Sequence, residues 1–195
     1  MQTRSSWNAV AVGMLGVLFA TISFAPRALV AQPSMVVLVR HGEKAIEGGS
    51  DPSLSDAGKA RAQALADALA MTTPSTIIVS SLKRTTETAA VVSAKTGVVP
   101  TVIAISGGAK HVADVAAAVR TATGVVLVVG HSNTVPAIVT ALGGPKLPDI
   151  CDASYATMFV LTPGVDGKAA QVVLAQYGAA DGPLPASCAG MTPPR

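Results

Sequence analysis

Short runs of β-branched residues alternate with amphipathic helical patterns along most of this chain, and this alternation most constrains its fold. Four runs predict buried strands, because they are short, continuous and apolar. They cover residues 35–39, 76–79, 99–105 and 125–129. Apolar positions between or after them recur at i, i+3, i+4 and i+7, which is typical of helices with one buried face. These positions are Ala62, Leu65, Ala66 and Leu69, then Val112, Val115, Ala116 and Val119, and finally Val135, Ile138, Val139 and Leu142.

The order of these elements predicts an α/β domain, a three-layer sandwich with a mainly parallel sheet flanked by helices. Residues 155–162 and 171–176 predict two late strands, joined as a hairpin across residues 163–168. The 195 residues are enough for one domain with a sizeable core, and the sequence shows no internal repeat or long linker. We therefore expect a single domain over residues 32–195, with a Gly/Pro-rich tail from about residue 178.

Residues 1–31 have the features of an export signal. Arg4 gives a positive start, residues 9–25 are uncharged and apolar, and Ala31 is a small residue suited to cleavage. An uncleaved membrane anchor is the alternative, because 17 apolar residues approach the length of a short span. We expect an exported protein, periplasmic or secreted, that contacts a membrane only if the leader is retained.

The charge balance argues against a nucleic-acid partner. Arg4 and Arg27 lie in the leader, so residues 32–195 carry 12 basic and 11 acidic residues, without a run of Lys or Arg. The sequence indicates no particular oligomeric state.

The chain has two cysteines, Cys151 and Cys188. In an oxidising compartment two cysteines readily pair, and such a bond would tie the tail to the domain. We expect this disulfide, with two isolated thiols as the alternative. Neither cysteine belongs to a metal-ligand spacing.

Polar residues follow three of the four predicted parallel strands. Arg40 and His41 follow the first, residues 80–84 follow the second, and His131 follows the fourth. Ligands in such sheets bind beyond the carboxyl ends of the strands, so we expect these residues at one edge.

Two arginines and two histidines form a set suited to phosphoryl transfer. The planar guanidinium groups of Arg40 and Arg84 would hold phosphate oxygens by paired hydrogen bonds. A neutral histidine can act as a nucleophile on phosphorus, while a second, protonated histidine binds the same phosphate. This chemistry predicts a small phosphorylated substrate and requires neither a metal nor another cofactor.

Four segments in this order resemble the histidine phosphatase superfamily, which includes cofactor-dependent phosphoglycerate mutases and acid phosphatases. They are Val-Arg-His-Gly-Glu-Lys at residues 39–44, Leu-Ser-Asp-Ala-Gly at 54–58, Ser-Ser-Leu-Lys-Arg-Thr-Thr-Glu-Thr-Ala at 80–89, and Gly-His-Ser-Asn-Thr-Val-Pro at 130–136. The resemblance covers about residues 35–145 and implies the phosphoglycerate mutase-like fold.

The resemblance implies that His41 becomes phosphorylated and that Arg40, Arg84 and His131 complete the phosphate pocket. Asn133 is expected to add a polar contact, with a helix cap as the alternative role. Glu87 lies three residues after Arg84 and is expected to brace it.

The chain departs from the mutase-like pattern in its proton donor. Those members carry a glutamate after the second arginine, but residues 98–113 contain no acidic residue. Glu43 is our candidate for the acid, ahead of Asp114 and His111, and His111 is more typical of a solvated helix position.

These observations predict an exported, metal-independent phosphomonoester hydrolase that acts through a phosphohistidine. One alternative is a non-catalytic module that binds phosphate or phosphosugars, since it would tolerate loss of the acid. Another, if the protein is cytoplasmic, is a phosphohistidine phosphatase, because cleaving a P–N bond demands less of an acid.

Overall fold

The computed structural model describes residues 32–165 and 167–191, so the expected leader and the end of the tail lie outside the described residues. Six strands form one sheet in the described part of the chain. They are β1 (Pro33–Arg40), β2 (Thr76–Ser80), β3 (Thr101–Ile103), β4 (Gly124–Gly130), β5 (Thr157–Thr162) and β6 (Gln171–Gln176). Within these ranges, no helix is both long and apolar enough to cross a membrane.

The sheet is mainly parallel, as expected. Its strand order is β3-β2-β4-β1-β5-β6, and β1 to β4 run parallel to one another. The late strands β5 and β6 form the expected hairpin, and β5 runs antiparallel to β1. The α/β sandwich prediction is therefore confirmed.

Strand β3 is shorter than the predicted run of residues 99–105. Pro100 has no N–H to donate to a ladder, and the partner strand β2 offers only Ile78 to Ser80 for pairing. Val102 is exposed at this edge of the sheet. The apolar run therefore reflects an edge strand and its flanks, not a long buried strand.

Four α-helices of the described residues cover the sheet. They are α1 (Asp56–Ala68), α2 (Lys83–Thr96), α3 (Gly108–Thr121) and α4 (Thr134–Ala141). Helices α1 and α2 pack on one face together with Val37 and Val39 of β1. Helices α3 and α4 pack on the other face with Val36 and Leu38. Because β1 is buried on both faces, alternate residues serve two separate cores, and each buried side chain contributes about 1.5–3 kcal/mol.

Two motif glycines bring β1 and α1 into backbone contact. Ser55 is the N-cap of α1, and its hydroxyl accepts a hydrogen bond from the Gly58 N–H at 3.2 Å. A Cβ placed on Gly58 would lie 2.2 Å from the Glu43 carbonyl oxygen. A Cβ on Gly42 would lie 2.9 Å from the Gly58 carbonyl oxygen. The segment that carries His41 is therefore packed directly on the first turn of α1.

We predict that Gly58→Ala destabilises the protein although Gly58 lies within a helix. In a helix interior alanine is normally better than glycine by about 1 kcal/mol. At Gly58 the added methyl group meets the backbone of Glu43, so we expect a net loss of about 1–3 kcal/mol in the free energy of unfolding. Urea denaturation measures this change.

Gly108→Ala is the matched control, since Gly108 also lies in a helix and a Cβ there meets nothing within 4 Å. We expect this variant to be neutral or slightly stabilised. Equal effects at the two glycines would contradict the role of the close contact.

Candidate active site

The carboxyl ends of three adjacent strands bring the sequence motifs together. Arg40 pairs with Gly130 in the β1–β4 register, and the His41 N–H donates to the Gly130 carbonyl at 2.9 Å. The ring centroids of His41 and His131 are then 5.3 Å apart. The hydroxyl oxygen of Ser80, the last residue of β2, lies 2.9 Å from Nε2 of His131. The expected convergence on one edge of the sheet is present.

The backbone fixes which nitrogen of His41 is available. Its Nδ1 lies 2.7 Å from the carbonyl oxygen of Gly42. Because a carbonyl can only accept, Nδ1 carries the hydrogen and the lone pair of the neutral ring is on Nε2. The ring is 4% exposed, so this orientation is held within the protein.

His41 is neutral at ordinary pH. Burial lowers its pKa to about 3, and the charges of Arg40 and Arg84 act in the same direction. The hydrogen bond to Gly42 opposes this shift without reversing it. A neutral ring retains the Nε2 lone pair that nucleophilic attack needs.

His131 is held from β2 and from its own loop. Its Nε2 contacts the Ser80 hydroxyl, which also lies 3.0 Å from the hydroxyl of Thr85. Its N–H donates to the Thr134 hydroxyl at 3.0 Å. Burial lowers the pKa of His131 to about 4, and Arg84 adds to the effect. The expected protonated histidine is therefore neutral in this structure, because burial and nearby cations disfavour a further charge.

Arg40 is almost completely buried and is bound by a segment that follows α4. Its Nη1 donates to the carbonyls of Cys151 at 2.8 Å and Ser154 at 3.0 Å. Its Nη2 lies 3.2 Å from a carboxylate oxygen of Asp152, and the guanidinium carbon lies 4.1 Å from the ring centroid of Tyr155. The Tyr155 ring is also 6.2 Å from that of His41. The sequence motifs carried no indication of this segment.

The two arginines of the site leave donors without acceptors. Arg84 is in the first turn of α2, and its Nη1 lies 3.7 Å from a carboxylate oxygen of Asp51. The Nε atoms of Arg84 and Arg40 are buried and have no hydrogen-bond partner among the described residues. Buried donors of this kind are normally satisfied, so the pair indicates a place for an acceptor such as an oxyanion.

Thr88 couples the nucleophile segment to the arginine helix. The Gly42 N–H donates to the Thr88 hydroxyl at 2.9 Å, and that hydroxyl donates to the Arg84 carbonyl at 2.6 Å. Glu87 differs from its expected role, because its carboxylate accepts from the Leu54 N–H at 2.6 Å. It joins the second and third motifs, whereas Arg84 has Asp51 as its ion-pair partner.

Glu43 is engaged by Arg61. The Arg61 Nε lies 3.0 Å from both carboxylate oxygens, and Nη2 lies 2.7 Å from one of them. Burial opposes the charged form of Glu43, but the hydrogen bonds from Arg61 prevail and the pKa of Glu43 is lowered. A carboxyl group with a lowered pKa is a poor proton donor at neutral pH, so this ion pair argues against the prediction that Glu43 is the acid.

The other acid candidates have different surroundings. Asp114 pairs with Lys110 at 2.6 Å on the surface of α3. His111 is 2% exposed, and its Nδ1 lies 3.1 Å from the Ala104 carbonyl. The expectation of a solvated helix position for His111 is therefore wrong, because His111 shares the buried stripe of α3 with Val115.

Asn133 is exposed at the N-cap position of α4, where its side chain makes no capping hydrogen bond. Its contact with a substrate stays a prediction.

Cys151 and Cys188 are joined as a disulfide with their Cα atoms 5.4 Å apart. Across residues 32–165 and 167–191, no three His, Cys, Asp or Glu side chains are grouped so as to hold a metal ion.

Comparisons with solved structures place this geometry among known folds. A candidate phosphohistidine phosphatase SixA from Agrobacterium tumefaciens has a TM-score of 0.56 at 24% identity, over 75% of this chain and 98% of that one. A mycobacterial glucosyl-3-phosphoglycerate phosphatase has a TM-score of 0.54 at 21% identity, over 75% of this chain and 99% of that one.

A third structure, of a protein histidine phosphatase SixA complexed with tungstate, has a TM-score of 0.55 at 18% identity, over 73% of this chain and 95% of that one. At these identities the likeness shows a shared fold.

Sequence comparison adds a match to a family model over part of the chain. No curated protein matches the sequence. Residues 36–105 match the family model of the histidine phosphatase superfamily, branch 1. This region contains Arg40, His41 and Arg84, while His131 and the segment at residues 150–155 that contacts Arg40 lie beyond it. The family match confirms the resemblance to the histidine phosphatase superfamily that the four motifs indicated.

Proposed function

We propose that this protein is a phosphomonoester hydrolase that acts through a covalent phosphohistidine on His41. The observation that carries the proposal is the pair of buried guanidinium Nε donors without acceptors, on the two arginines whose charges act on both site histidines. A phosphoryl group supplies acceptors for these donors and adds negative charge beside a buried and a partly buried guanidinium. The family match supports the proposal, and a structural neighbour, a protein histidine phosphatase, is known in complex with the oxyanion tungstate.

The proposed first step is attack by the Nε2 lone pair of His41 on phosphorus. A P–N bond forms while the bond from phosphorus to the leaving oxygen breaks. Arg40 and Arg84 hold the remaining phosphoryl oxygens as negative charge spreads over them. His131, with Nε2 engaged by Ser80, has Nδ1 available to donate to the same group. The leaving oxyanion takes a proton from solvent. Water then attacks phosphorus as the P–N bond breaks, the attacking water returns a proton to solvent, and His41 regains its Nε2 lone pair in the neutral form.

The pairing of Glu43 with Arg61 bears on the substrate class. A leaving oxygen of high basicity needs a proton as it departs, and Glu43 is poorly suited to supply it. We therefore propose that aryl phosphates and other esters with good leaving groups are preferred over simple alkyl phosphates. The same observation favours the second candidate, a phosphohistidine phosphatase, because a P–N bond makes less demand on an acid.

The location of the reaction is also a proposal. The apolar leader with its positive start and small residue at position 31 supports export to the periplasm or medium, where phosphomonoesters of small molecules would be the substrates. A cytoplasmic location would instead favour the phosphohistidine substrate. Detection of the processed chain in a periplasmic fraction distinguishes the two.

We predict turnover of p-nitrophenyl phosphate with a metal chelator present, and a loss of about 1,000-fold or more in kcat for His41→Ala. The activated leaving group needs little help from an acid, so this substrate tests the nucleophile and the arginines. Lys59→Ala, on the exposed side of α1, is the control and should keep full activity.

Brief reaction followed by an alkaline quench should leave phosphate on His41, since a phosphoramidate resists alkali and is lost in acid. Turnover that requires added metal would contradict the mechanism. A folded protein that binds phosphate without any turnover would establish the binding module in its place.

We predict that kcat/KM for p-nitrophenyl phosphate does not fall through protonation of His41 between pH 7 and pH 5, after correction for the ionisation of the substrate. The reactive form is the neutral ring, and a pKa near 3 leaves it neutral throughout this window. An ordinary histidine, with a pKa of about 6.5, would lose about 25-fold over the same range. Stopped assays in overlapping buffers measure the profile, and an inflection near pH 6.5 would contradict the buried, neutral nucleophile.

A further inference from the structure

We propose that residues 150–155, named here the arginine cradle, position Arg40 for phosphate binding, and that the Cys151–Cys188 disulfide sets the phosphate affinity of the site through this cradle. The inference rests on the proposed function, in which Arg40 binds the phosphoryl group. Arg40 touches the phosphate, whereas the disulfide is a positioning element that acts through it.

The cradle binds Arg40 mainly through its backbone. The carbonyls of Cys151 and Ser154 both accept from Nη1, at 2.8 and 3.0 Å. Bonds to carbonyl oxygens depend on the path of the chain, so any shift of Cys151 moves an acceptor of the buried cation. Asp152 adds little, because its side chain is 90% exposed and such pairs are screened by solvent.

Three attachments hold the cradle, which itself is neither helix nor strand. At one end the Ile150 N–H donates to the Ser132 carbonyl at 2.9 Å, next to His131. At the other end the Asp181 carboxylate accepts from the N–H groups of Tyr155 and Ala156, at 2.7 and 3.1 Å. The disulfide is the covalent attachment, and it is made by the residue whose carbonyl binds Arg40.

The disulfide belongs to the interior of the protein. Cys151 is 0% and Cys188 7% exposed, and they are 37 positions apart in the chain. In the folded protein the covalent bond limits how far Cys151 can move relative to Cys188, with their Cα atoms 5.4 Å apart. With the bond open, Cys151 loses its covalent anchor, and the Arg40 guanidinium loses the fixed position that presents Nε, its one donor without a partner among the described residues, to a phosphate oxygen.

The test measures the affinity of the full chain for inorganic phosphate by isothermal titration, without turnover. The oxidised protein is compared with the Cys151→Ser/Cys188→Ser variant and with protein treated with a dithiol. The dithiol supplies two electrons and two protons, becomes a disulfide itself, and converts Cys151 and Cys188 into two thiols. We expect phosphate Kd to rise about tenfold or more in both cases, reversibly on reoxidation of the natural protein.

A double-mutant cycle that combines Arg40→Lys with the opened disulfide separates an effect on the position of Arg40 from an effect on general stability. If the disulfide acts through Arg40, opening it in the Arg40→Lys background should change Kd little further, and the two effects will not add. Additive losses, or a Kd unchanged in the opened protein while only the melting temperature falls, would overturn the inference. Circular dichroism at the titration temperature establishes that each variant is folded.

Asp181→Asn provides a second variant if the cysteine variant does not fold. It weakens the other attachment of the cradle with the disulfide intact, so phosphate Kd should rise without any change in redox state. An unchanged Kd in this folded variant would also count against the cradle. Failure of the oxidised natural protein to bind phosphate would instead remove the proposed function, and the present inference with it.

Discussion

The site depends on one backbone hydrogen bond, from the His41 N–H to the Gly130 carbonyl at 2.9 Å. It continues the parallel register of β1 and β4 one step beyond Arg40, so both strands end at the same level. His41 and His131 then leave the sheet as neighbours. A slip of one residue would exchange the two faces of β1 and turn Val37 and Val39 away from their core. The packing of both cores therefore also fixes the alignment of the two histidines.

Burial of charge is the second constraint, and it explains the protonation states. Two arginines stay charged while both histidines become neutral, because a buried site with two cations disfavours a third and a fourth. Carbonyls of the cradle compensate part of the charge of Arg40. The buried Nε donors of Arg40 and Arg84 have no acceptor among the described residues. The arrangement suits an oxyanion better than a neutral ligand.

Sequence patterns predicted the framework of the fold because the spacing of apolar residues and the residues that follow each strand can be read from a short stretch of sequence. The alternation of apolar runs indicated the parallel strands, and polar residues at their carboxyl ends indicated the site. The cradle could not be predicted this way, because its acceptors for Arg40 are backbone carbonyls that any residue provides. The contact is also hard to recognise because Arg40 and Cys151 are 111 residues apart in the sequence.

Two other features of the structure that sequence analysis missed did have a signal in the sequence. Arg61 precedes Leu65 by four residues, so it lies on the buried stripe of α1 and needs an acidic partner, which is Glu43. His111 stands in the same relation to Val115 in α3, so position on the apolar face was a better guide than polar character.

The site also requires most of the domain to be folded. The region that matches the family supplies Arg40, His41 and Arg84, while His131, the cradle and Cys188 come from the later part of the chain. Contacts such as Arg40 to Cys151 form only after a long stretch of chain has been ordered, which carries a large cost in loop entropy. The cradle is irregular chain outside the sheet, so a local opening confined to it would release Arg40 with the strands still paired. The parts of the site that have the least sequence signal are therefore also those that fix the geometry of its most buried cation.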